Sequence, residues 1–517
     1  MKLHKIQKLV LFVLLSLLVL LIFVGCKDKD TNKGKIEINI SSVDELISIR
    51  DKLGPDYDKA TFNLTTDLNI DIEWTPIGDS VENSFRSTFN GNNHTITISS
   101  NISADRNLSV FGLFGYIYNA TFNDLKLNVD FENETLSEVS YVGALASFGI
   151  YTNSFKNITI DGNITHSAGW ETYRSPYSGI IEPRNNKYAF IGGVIGYAVG
   201  ESSFSDITSN LEVNVSESND NNYGIMYGFN RIFSGCIAGY VRTTDLSDTN
   251  KERNNVEKIQ ALPNFTINAL AVFAGGAFGF IYNAKINDLI VGNESYPNIS
   301  KITVAGRRHT YAGGAFGLLD NSNATNINVF LDLDVSPSGD KNTANSFGGI
   351  SAYINNGAVL DNAKYKGDIH TAIGNISQSY AGGLAGTISN STVQNSTTSG
   401  RFIIANVVDS VDRYYSLIAR SNSPYQSYMI ANYAGVTGRI HGNSCLDSIE
   451  SEYLAYQGVY SELATVIEVV DLDGDKIVQT VGTPTVNKTT KFDTANAAAY
   501  LYDESNEKFM PIYPYQD

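Results

Sequence analysis

Residues 112–129 read GLFGYIYNATFNDLKLNV, and they contain each feature of a pattern that recurs along this chain. The pattern opens on a glycine-led phrase, Gly112-Leu113-Phe114-Gly115, and reaches an apolar residue, Phe122, two positions before Asp124. From Leu125 to Val129 apolar and polar residues then alternate, which indicates a strand with one buried face. Phe122 and Leu125 are three residues apart, so both face inward only if the chain bends between them. Asp and Asn tolerate the left-handed conformation that such a bend requires.

The glycine-led phrase occurs nine times. Its copies begin at Gly112, Gly143, Gly193, Cys236, Gly276, Gly314, Gly349, Gly383 and Gly435. Their closing residues are 31 to 52 positions apart, which is the spacing of solenoid and propeller repeats. Most copies are followed, seven to nine residues later, by an apolar residue and then, two positions on, by Asn or Asp; in the last copy these are Cys445 and Asp447. Only the copy that closes at Gly239 lacks a clear match.

These repeats, together with the abundance of Gly, Asn, Ser, Thr and Tyr, predict an all-β protein. In a parallel β-helix of about nine coils, each repeat is one coil, apolar residues stack inside and the Asn/Asp corners form a ladder. The paired glycines mark positions where strands approach too closely for side chains. A propeller is the alternative, but its blades need four comparable strands each, and the repeats do not show four.

A lead-in segment precedes the repeats, with Trp74-Thr75-Pro76-Ile77-Gly78 followed by Phe89-Asn90-Gly91-Asn92-Asn93-His94-Thr95-Ile96. Together with the repeats it resembles the GLUG-motif β-helix proteins of bacterial surfaces, over roughly residues 60 to 450. The resemblance implies a right-handed parallel β-helix. It says little about function, because the group includes adhesin-like proteins, proteins of unknown role and flanking modules of some peptidases. No His-Glu-x-x-His zinc motif is present, so peptidase activity is not carried over.

The chain begins like an exported protein. Three lysines precede an apolar run, Leu9–Val24, which is shorter than the roughly 20 residues of a membrane-spanning helix. Gly25-Cys26 resembles the lipobox of bacterial lipoproteins, in which the cysteine is lipidated and becomes the mature N-terminus. An uncleaved anchor is the alternative. Residues 27–35 have no apolar side chain and therefore predict a flexible tether.

The expected organisation is a signal peptide at 1–25, a tether at 26–36, an N-terminal cap with lead-in strands at 37–104, repeats at 105–450 and a C-terminal β cap at 451–517. Residues 43–53 predict a helix, since Ser42 and Glu45 have the spacing of a capping box and Gly54 follows. In the C-terminal cap, residues 466–470 and 477–481 alternate around Asp473-Gly474, which predicts a hairpin.

The sequence predicts no catalytic residue, metal or cofactor. The net charge of −17 argues against binding nucleic acid or anionic lipid. The Asn/Asp ladder could supply calcium ligands, but one side chain per corner, often a neutral asparagine, favours a structural role. Asp471, Asp473 and Asp475 are better explained by the hairpin than by a calcium loop. Cys236 and Cys445 are expected to be small buried residues too far apart for a disulfide.

Two long insertions are the candidate contact surfaces, because loops that project from a rigid repeat carry recognition. Both combine aromatic rings with guanidinium groups, which suit stacking on sugars or anchoring a protein interface. The candidate ligand-binding residues are Trp170, Tyr173, Arg174, Tyr177 and Tyr188 in the first insertion and Arg413, Tyr414, Tyr415 and Tyr425 in the second. Alternatively, these rings pack back onto the repeats and only cover them.

The sequence therefore favours a lipid-anchored, adhesin-like module at a bacterial cell surface or on the outer face of a membrane. It would bind an extracellular glycan or protein without catalysis. A polysaccharide lyase or hydrolase is a second hypothesis, based only on the reactions that other β-helices host. A passive structural component of the cell envelope is a third.

Overall fold

A computed structural model describes residues 36–99, 109–135, 139–168, 172–174, 181–183, 188–217, 231–244, 253–336, 344–372, 378–405, 412–416, 430–434, 437–441, 444–457 and short segments between 461 and 512. Strands dominate these residues, which confirms the all-β class. The predicted signal peptide, Cys26 and the tether lie outside them. No helix in this described part of the chain is long and apolar enough to cross a membrane.

Each copy of the glycine-led phrase leads into one strand of a parallel sheet, called here the nine-strand ladder. Within the described residues, its strands are Phe114–Tyr118, Ala146–Ile150, Ile195–Val199, Ala238–Arg242, Phe278–Tyr282, Phe316–Asp320, Ser351–Asn355, Ala385–Ser389 and Thr437–His441. They follow one another in chain order across the sheet, and each pairs in parallel with the next. The predicted register of the repeats is therefore confirmed for this ladder, and a propeller, whose strands pair within one repeat, does not fit it.

The remaining strands of each repeat belong to a second, larger sheet. The N-terminal region contributes Glu37–Ile40, Thr61–Leu64, Leu68–Ile70, Thr88–Asn90 and Thr95–Ile98. The strands that run through or follow the Asn/Asp corner are Thr121–Thr135, Asn153–Ala168, Ser202–Glu217, Asn254–Gly275, Ala284–Gly292, Lys301–Gly313, Asn323–Phe330, Asp332–Val335, Val359–Lys366, Ile369–Ala372, Thr392–Ala405 and Ser444–Gln457. Others immediately precede a glycine-led phrase or pair beside such a strand: Val110–Phe111, Val139–Gly143, Tyr188–Gly192, Arg231–Gly235, Ala344–Gly348, Gln378–Gly382, Asp412–Ser416 and Ile430–Ala434.

The predicted corner bends the chain in the left-handed conformation. At seven predicted positions and at Lys258, φ lies between 49° and 59°; the predicted positions are Asp124, Asn157, Asp206, Asp288, Asn326, Asn362 and Asn395. Phe122 and Leu125, on either side of the first corner, are both fully buried, as the bend requires. Phe122 stacks on Phe155 of the next repeat, with ring centroids 5.6 Å apart. The Asn/Asp corners thus place one column of apolar side chains before the bend and one after it, both of them buried.

The register corrects three sequence alignments. Val256 pairs with Phe204, so the copy that closes at Gly239 has its apolar residue there and its corner at Lys258. This copy escaped notice because a longer connection precedes Val256 and because lysine replaces Asn or Asp.

In the last copy, Leu446 rather than Cys445 pairs with Val393, so the corner follows at Ser448 and not two residues after Cys445. In the second copy, Ala146 pairs with Ile195, so the closing position is Ser147. Both errors are shifts of one residue, which a pattern of small and apolar residues does not resolve.

The paired glycines lie where consecutive strands turn sharply. A Cβ atom on Gly143 would overlap the carbonyl oxygen of Ala146, and one on Gly192 would overlap that of Ile195. Cys236 lies in the adjacent column, between Gly193 and Gly276, with which it shares backbone hydrogen bonds. It is fully buried, which confirms its expected role as a small filler, and burial raises the pKa of its thiol to about 12. The Cys445 side chain lies outside the description.

The N-terminal region begins with the strand Glu37–Ile40, which pairs in parallel with Thr61–Leu64. The predicted helix forms as α1 (Val43–Ile47), and a 3-10 helix (Ser48–Lys52) continues it; another 3-10 helix spans Pro297–Ile299. Ser42 Oγ accepts a hydrogen bond from Glu45 N at 3.2 Å, as in a capping box. The Glu45 carboxylate accepts one from Ser41 N, at 2.6 Å.

The lead-in segment extends the nine-strand ladder by a partial rung. Ile77 bridges in parallel to Phe114, and Gly115 N donates to Ile77 O at 2.8 Å. Trp74 is fully buried and its Nε1 donates to Leu113 O at 3.1 Å. The Trp-x-x-Ile-Gly phrase thus places one indole and one isolated β-bridge against the first repeat.

The C-terminal residues pair in antiparallel fashion. Their strands are Ser461–Glu462, Glu468–Val470, Lys476–Val478, Thr485–Val486, Thr490–Phe492, Ala499–Asp503 and Lys508–Ile512, and a separate antiparallel pair, Thr172–Arg174 with Ile181–Pro183, forms in the first insertion. The pairing of Glu468–Val470 with Lys476–Val478 confirms the predicted hairpin strands. The turn between them, with Asp471, Asp473 and Asp475, lies outside the described residues.

Candidate binding surface: the aromatic corner

Most of the predicted contact residues fall where side chains are not described. Trp170, Tyr177 and Tyr425 lie outside the described residues. Five more belong to strands whose backbone is described but whose side chains are not: Tyr173, Arg174, Arg413, Tyr414 and Tyr415. Asp412–Ser416 pairs in parallel with Ile430–Ala434, so this part of the second insertion is a strand of the large sheet.

Tyr188 is the predicted contact residue whose side chain is described. It begins the strand Tyr188–Gly192 and is half-buried. Its ring lies parallel to that of Phe190, at 4° and 6.1 Å between centroids. Tyr188 therefore adjoins a larger aromatic surface that sequence reasoning missed.

That surface contains two columns of rings. The first column lies on the large sheet, each ring two residues before a glycine: Tyr141, Phe190, Phe233, Phe273 and Tyr311. Successive ring centroids are 5.5, 5.2, 4.7 and 4.7 Å apart and the rings are within 15° of parallel. Parallel strands in exact register place like residues one above the other, so the stack follows from the repeat.

The second column lies on the outer face of the nine-strand ladder. Its members occupy one register position: Tyr116, Phe148, Tyr197, Tyr240 and Phe280. Their successive ring centroids are 5.5, 5.1, 5.1 and 4.2 Å apart. All five are half-buried, while their neighbours along each strand alternate with them and are buried.

The two columns meet at the glycine turn and form what we call the aromatic corner, defined by these ten residues. Within one repeat, Tyr141 lies 4.7 Å from Phe148 and Phe190 lies 4.8 Å from Tyr197, between centroids. The closing glycine makes this approach possible, because a Cβ atom on Gly196 would overlap the backbone of the strand before the turn. The sequence signal was an aromatic residue on each side of the glycine phrase.

Three phenols of the aromatic corner, Tyr141, Tyr240 and Tyr311, remain neutral at physiological pH. Burial raises the pKa of Tyr141 to about 12 and also raises the pKa values of Tyr240 and Tyr311. Arg242 Nε donates to the Tyr197 hydroxyl at 2.5 Å, which adds a cation beside the rings. The half-buried second column thus offers aromatic surface, and the corner adds phenol hydroxyls and a guanidinium group. This combination suits apolar contact and hydrogen bonding with a polar, uncharged ligand.

The Asn/Asp corners are held by bonds between neighbouring repeats. Asn157 Nδ2 donates to Asp124 Oδ1 at 2.6 Å, and Asn362 Nδ2 donates to Asn326 Oδ1 at 2.6 Å. These contacts, with the left-handed backbone, support a structural ladder rather than a calcium site. In the described part of the chain, no three His, Cys, Asp or Glu side chains are grouped as metal ligands.

One pair resembles a nucleophile with its base but is enclosed in the core. Ser140 Oγ lies 3.0 Å from His166 Nε2. Ser140 is 2% exposed and His166 is 0% exposed, so a substrate has no approach to either. Burial also lowers the pKa of His166 to about 4. The pair is therefore a structural contact.

Comparison with protein families, curated protein sequences and solved structures finds no match to the chain.

Proposed function

We propose that this chain is an exported, lipid-anchored, adhesin-like protein whose right-handed parallel β-helix binds an extracellular glycan along the aromatic corner. The observation that carries the proposal is the pair of ring columns repeated over successive strands, of which the column on the nine-strand ladder is half-buried at all five positions. A binding role without catalysis is the simplest use of such a surface.

The parallel ladders support the β-helix. Each repeat supplies a strand to the nine-strand ladder and further strands to the large sheet, and both sheets pair in parallel with the next repeat. Closure of each repeat into one coil follows if the glycine turn and the Asn/Asp corner bend the chain in the same sense. The resemblance to GLUG-motif proteins supplies the right-handed sense.

Export and anchoring rest on the sequence. The apolar run Leu9–Val24 and the Gly25-Cys26 pair that follows it support removal of a signal peptide and lipidation of Cys26. The body would then be held outside the cell membrane by residues 27–35, which places the aromatic corner where extracellular glycans are encountered.

A glycan suits the corner better than the alternatives. Aromatic faces stack on the apolar face of a sugar ring, and neutral phenols exchange hydrogen bonds with hydroxyl groups. Successive strands are about 4.8 Å apart, so the columns present a regular, extended platform to a polymer. The net charge of −17 disfavours polyanions.

The test replaces two rings by the residue that the protein itself uses at the same register position. Thr387 occupies the position of Tyr353 in the next repeat, and threonine favours strands, so Phe148→Thr with Tyr197→Thr removes stacking surface while retaining the strand. We expect binding of the full-length protein to an immobilised neutral polysaccharide to weaken by about tenfold or more.

Ile290→Thr is the matched control, since Ile290 is 41% exposed on a strand of the large sheet. It should leave binding unchanged. Retention of full binding by the double variant, or binding of no polysaccharide by the unaltered protein across a panel of neutral and acidic polymers, would refute the proposal. Binding to a protein partner alone would replace the glycan by a protein ligand.

A further inference from the structure

A cavity lies at the carboxyl ends of three neighbouring strands of the nine-strand ladder. Its volume is about 350 Å³, and its lining includes Tyr151, Thr152, Gly200, Glu201, Thr243 and Arg253. This volume is at the lower end of the range for small-molecule sites, which fits one small ligand. The cavity follows the turns that end Ala146–Ile150, Ile195–Val199 and Ala238–Arg242.

Tyr151 is the unusual residue of this cavity. It occupies a second column of left-handed positions, at the end of the nine-strand ladder, where φ is 59°. The other left-handed members of that column are asparagine or glycine: Asn119, Gly200, Asn283, Asn321, Asn356 and Asn390. A left-handed conformation costs about 1–2 kcal/mol for an ordinary L residue, and such strain is concentrated at functional sites. A tyrosine here works against stability.

The Tyr151 ring is held at the surface. Tyr151 is 50% exposed, although large aromatic residues are usually mostly buried. The Tyr118 ring is one neighbour of Tyr151, with the two ring centroids 4.8 Å apart. The Arg86 guanidinium in turn lies 4.7 Å from the centroid of the Tyr118 ring. At the next repeat, Gly200 approaches so closely that a Cβ atom there would overlap the Tyr151 backbone. The absence of a side chain at position 200 thus lets the backbones of the two turns pack against each other.

The rim of the cavity is polar but electrically balanced. Arg253 Nη1 donates to Glu201 Oε1 at 2.5 Å, and the two side chains are 42% and 48% exposed. A carboxylate accepts hydrogen bonds and a guanidinium donates them, so this pair can serve the alternating hydroxyls of a sugar. The hydroxyl of Thr152 adds a group that both donates and accepts. Thr243 is buried, and its hydroxyl accepts a hydrogen bond from Asn283 Nδ2 at 3.2 Å.

We infer that this cavity binds a single neutral hexose, at the end or a branch of a glycan, with the sugar ring against Tyr151 and its hydroxyls at Glu201 and Arg253. The inference rests on the proposed glycan binding and adds a subsite that recognises one sugar unit. A neutral sugar fits because Glu201 and Arg253, the charged side chains among the described lining residues, already neutralise each other. A uronate would place a second carboxylate beside Glu201.

The test uses the full-length protein and three probes, the methyl glycosides of glucose, galactose and mannose, with glucuronate as the charged comparison. Saturation-transfer NMR and a titration of chemical shifts measure binding. We expect at least one methyl glycoside to saturate the site and to bind more tightly than glucuronate. In Tyr151→Asn its affinity should fall by at least about tenfold, because the stacking ring is lost.

A loss of binding in Tyr151→Asn could not be attributed to misfolding. Asparagine is the residue found elsewhere in the column, so the melting temperature should stay equal or rise while binding is lost. Glu201→Gln, which keeps the shape of the side chain, should also weaken the sugar. Tyr296→Asn, at a tyrosine that is 64% exposed elsewhere, should change neither property.

Undiminished hexose binding by Tyr151→Asn, or no binding of any methyl glycoside, would overturn the inference. The proposed function fails by a different result. If polysaccharide binding is lost in the Phe148→Thr, Tyr197→Thr variant but not in Tyr151→Asn, the aromatic corner stands and the hexose subsite falls. If no polysaccharide binds at all, the proposed function falls.

Discussion

His166 shows how a single polar residue is accommodated in the core of this protein. Its Nε2 contacts Ser140 Oγ, and its strand pairs in register so that Asn133 lies in the preceding repeat and Val215 in the next. Complete burial lowers the pKa of the imidazole to about 4, because the charged form loses its hydration. The histidine therefore remains neutral inside the protein at pH values where it would be protonated in an unfolded chain.

A dependence of stability on pH follows. Above pH 6.5 the imidazole is neutral in both the folded and the unfolded protein, so it does not make the free energy of unfolding depend on pH. Between about pH 6.5 and 4 the unfolded chain binds a proton that the folded protein does not, so the free energy of unfolding falls as the pH falls, by up to about 3 kcal/mol. Urea titrations at several pH values should show this loss relative to His166→Val, which adopts the residue of the next repeat. Equal slopes for the two proteins would show that His166 is not held neutral.

The corner is the element that the sequence predicted best. Asparagine and aspartate, two positions after an apolar residue, indicated a left-handed bend at the Asn/Asp corner, and the backbone has it at seven predicted positions from Asp124 to Asn395. The prediction missed Lys258, because lysine is not a residue that favours this conformation. It misplaced the last corner by one residue, because Cys445 and Leu446 are both apolar and only the pairing with Val393 separates them.

The two contributions of a corner asparagine can be separated at Asn362, where φ is 50° and Nδ2 donates to Asn326. Asn362→Ala loses both the hydrogen bond and the tolerance of the left-handed backbone, so we expect the free energy of unfolding to fall by about 2 kcal/mol. Asn362→Gly loses only the hydrogen bond and should cost less than about 1 kcal/mol. Chemical denaturation compares them. An alanine variant as stable as the glycine variant would rule out backbone strain as the cause.

At the scale of the whole molecule, the repeat determined which predictions succeeded. The parallel ladders could be predicted because each repeat carries its own signals, a glycine phrase, a corner and an alternating strand. The aromatic corner could not, because its rings lie on two strands on either side of a turn, and only the fold shows that Phe190 and Tyr197 face each other. The inserted segments carry no repeated signal, and the sequence alone did not show that Asp412–Ser416 joins the sheet.

If each repeat contacts chiefly its neighbours, one repeat can be removed without unfolding the rest. Phe280 pairs with Leu318 and Ile281 with Leu319, so deletion of residues 281–318 joins equivalent positions within a strand and preserves the side-chain alternation. We expect this variant to unfold cooperatively, to keep its circular dichroism per residue, and to be shorter by about 4.8 Å in small-angle scattering.

Deletion of residues 282–318 is the matched control. It leaves one additional residue in the same strand, so every following side chain in that strand would face the wrong side of the sheet. That variant should lose cooperative unfolding or aggregate. Equal behaviour of the two deletions would mean that the register between repeats does not hold the molecule together, and the stacked aromatic columns, which depend on that register, would lose their structural basis.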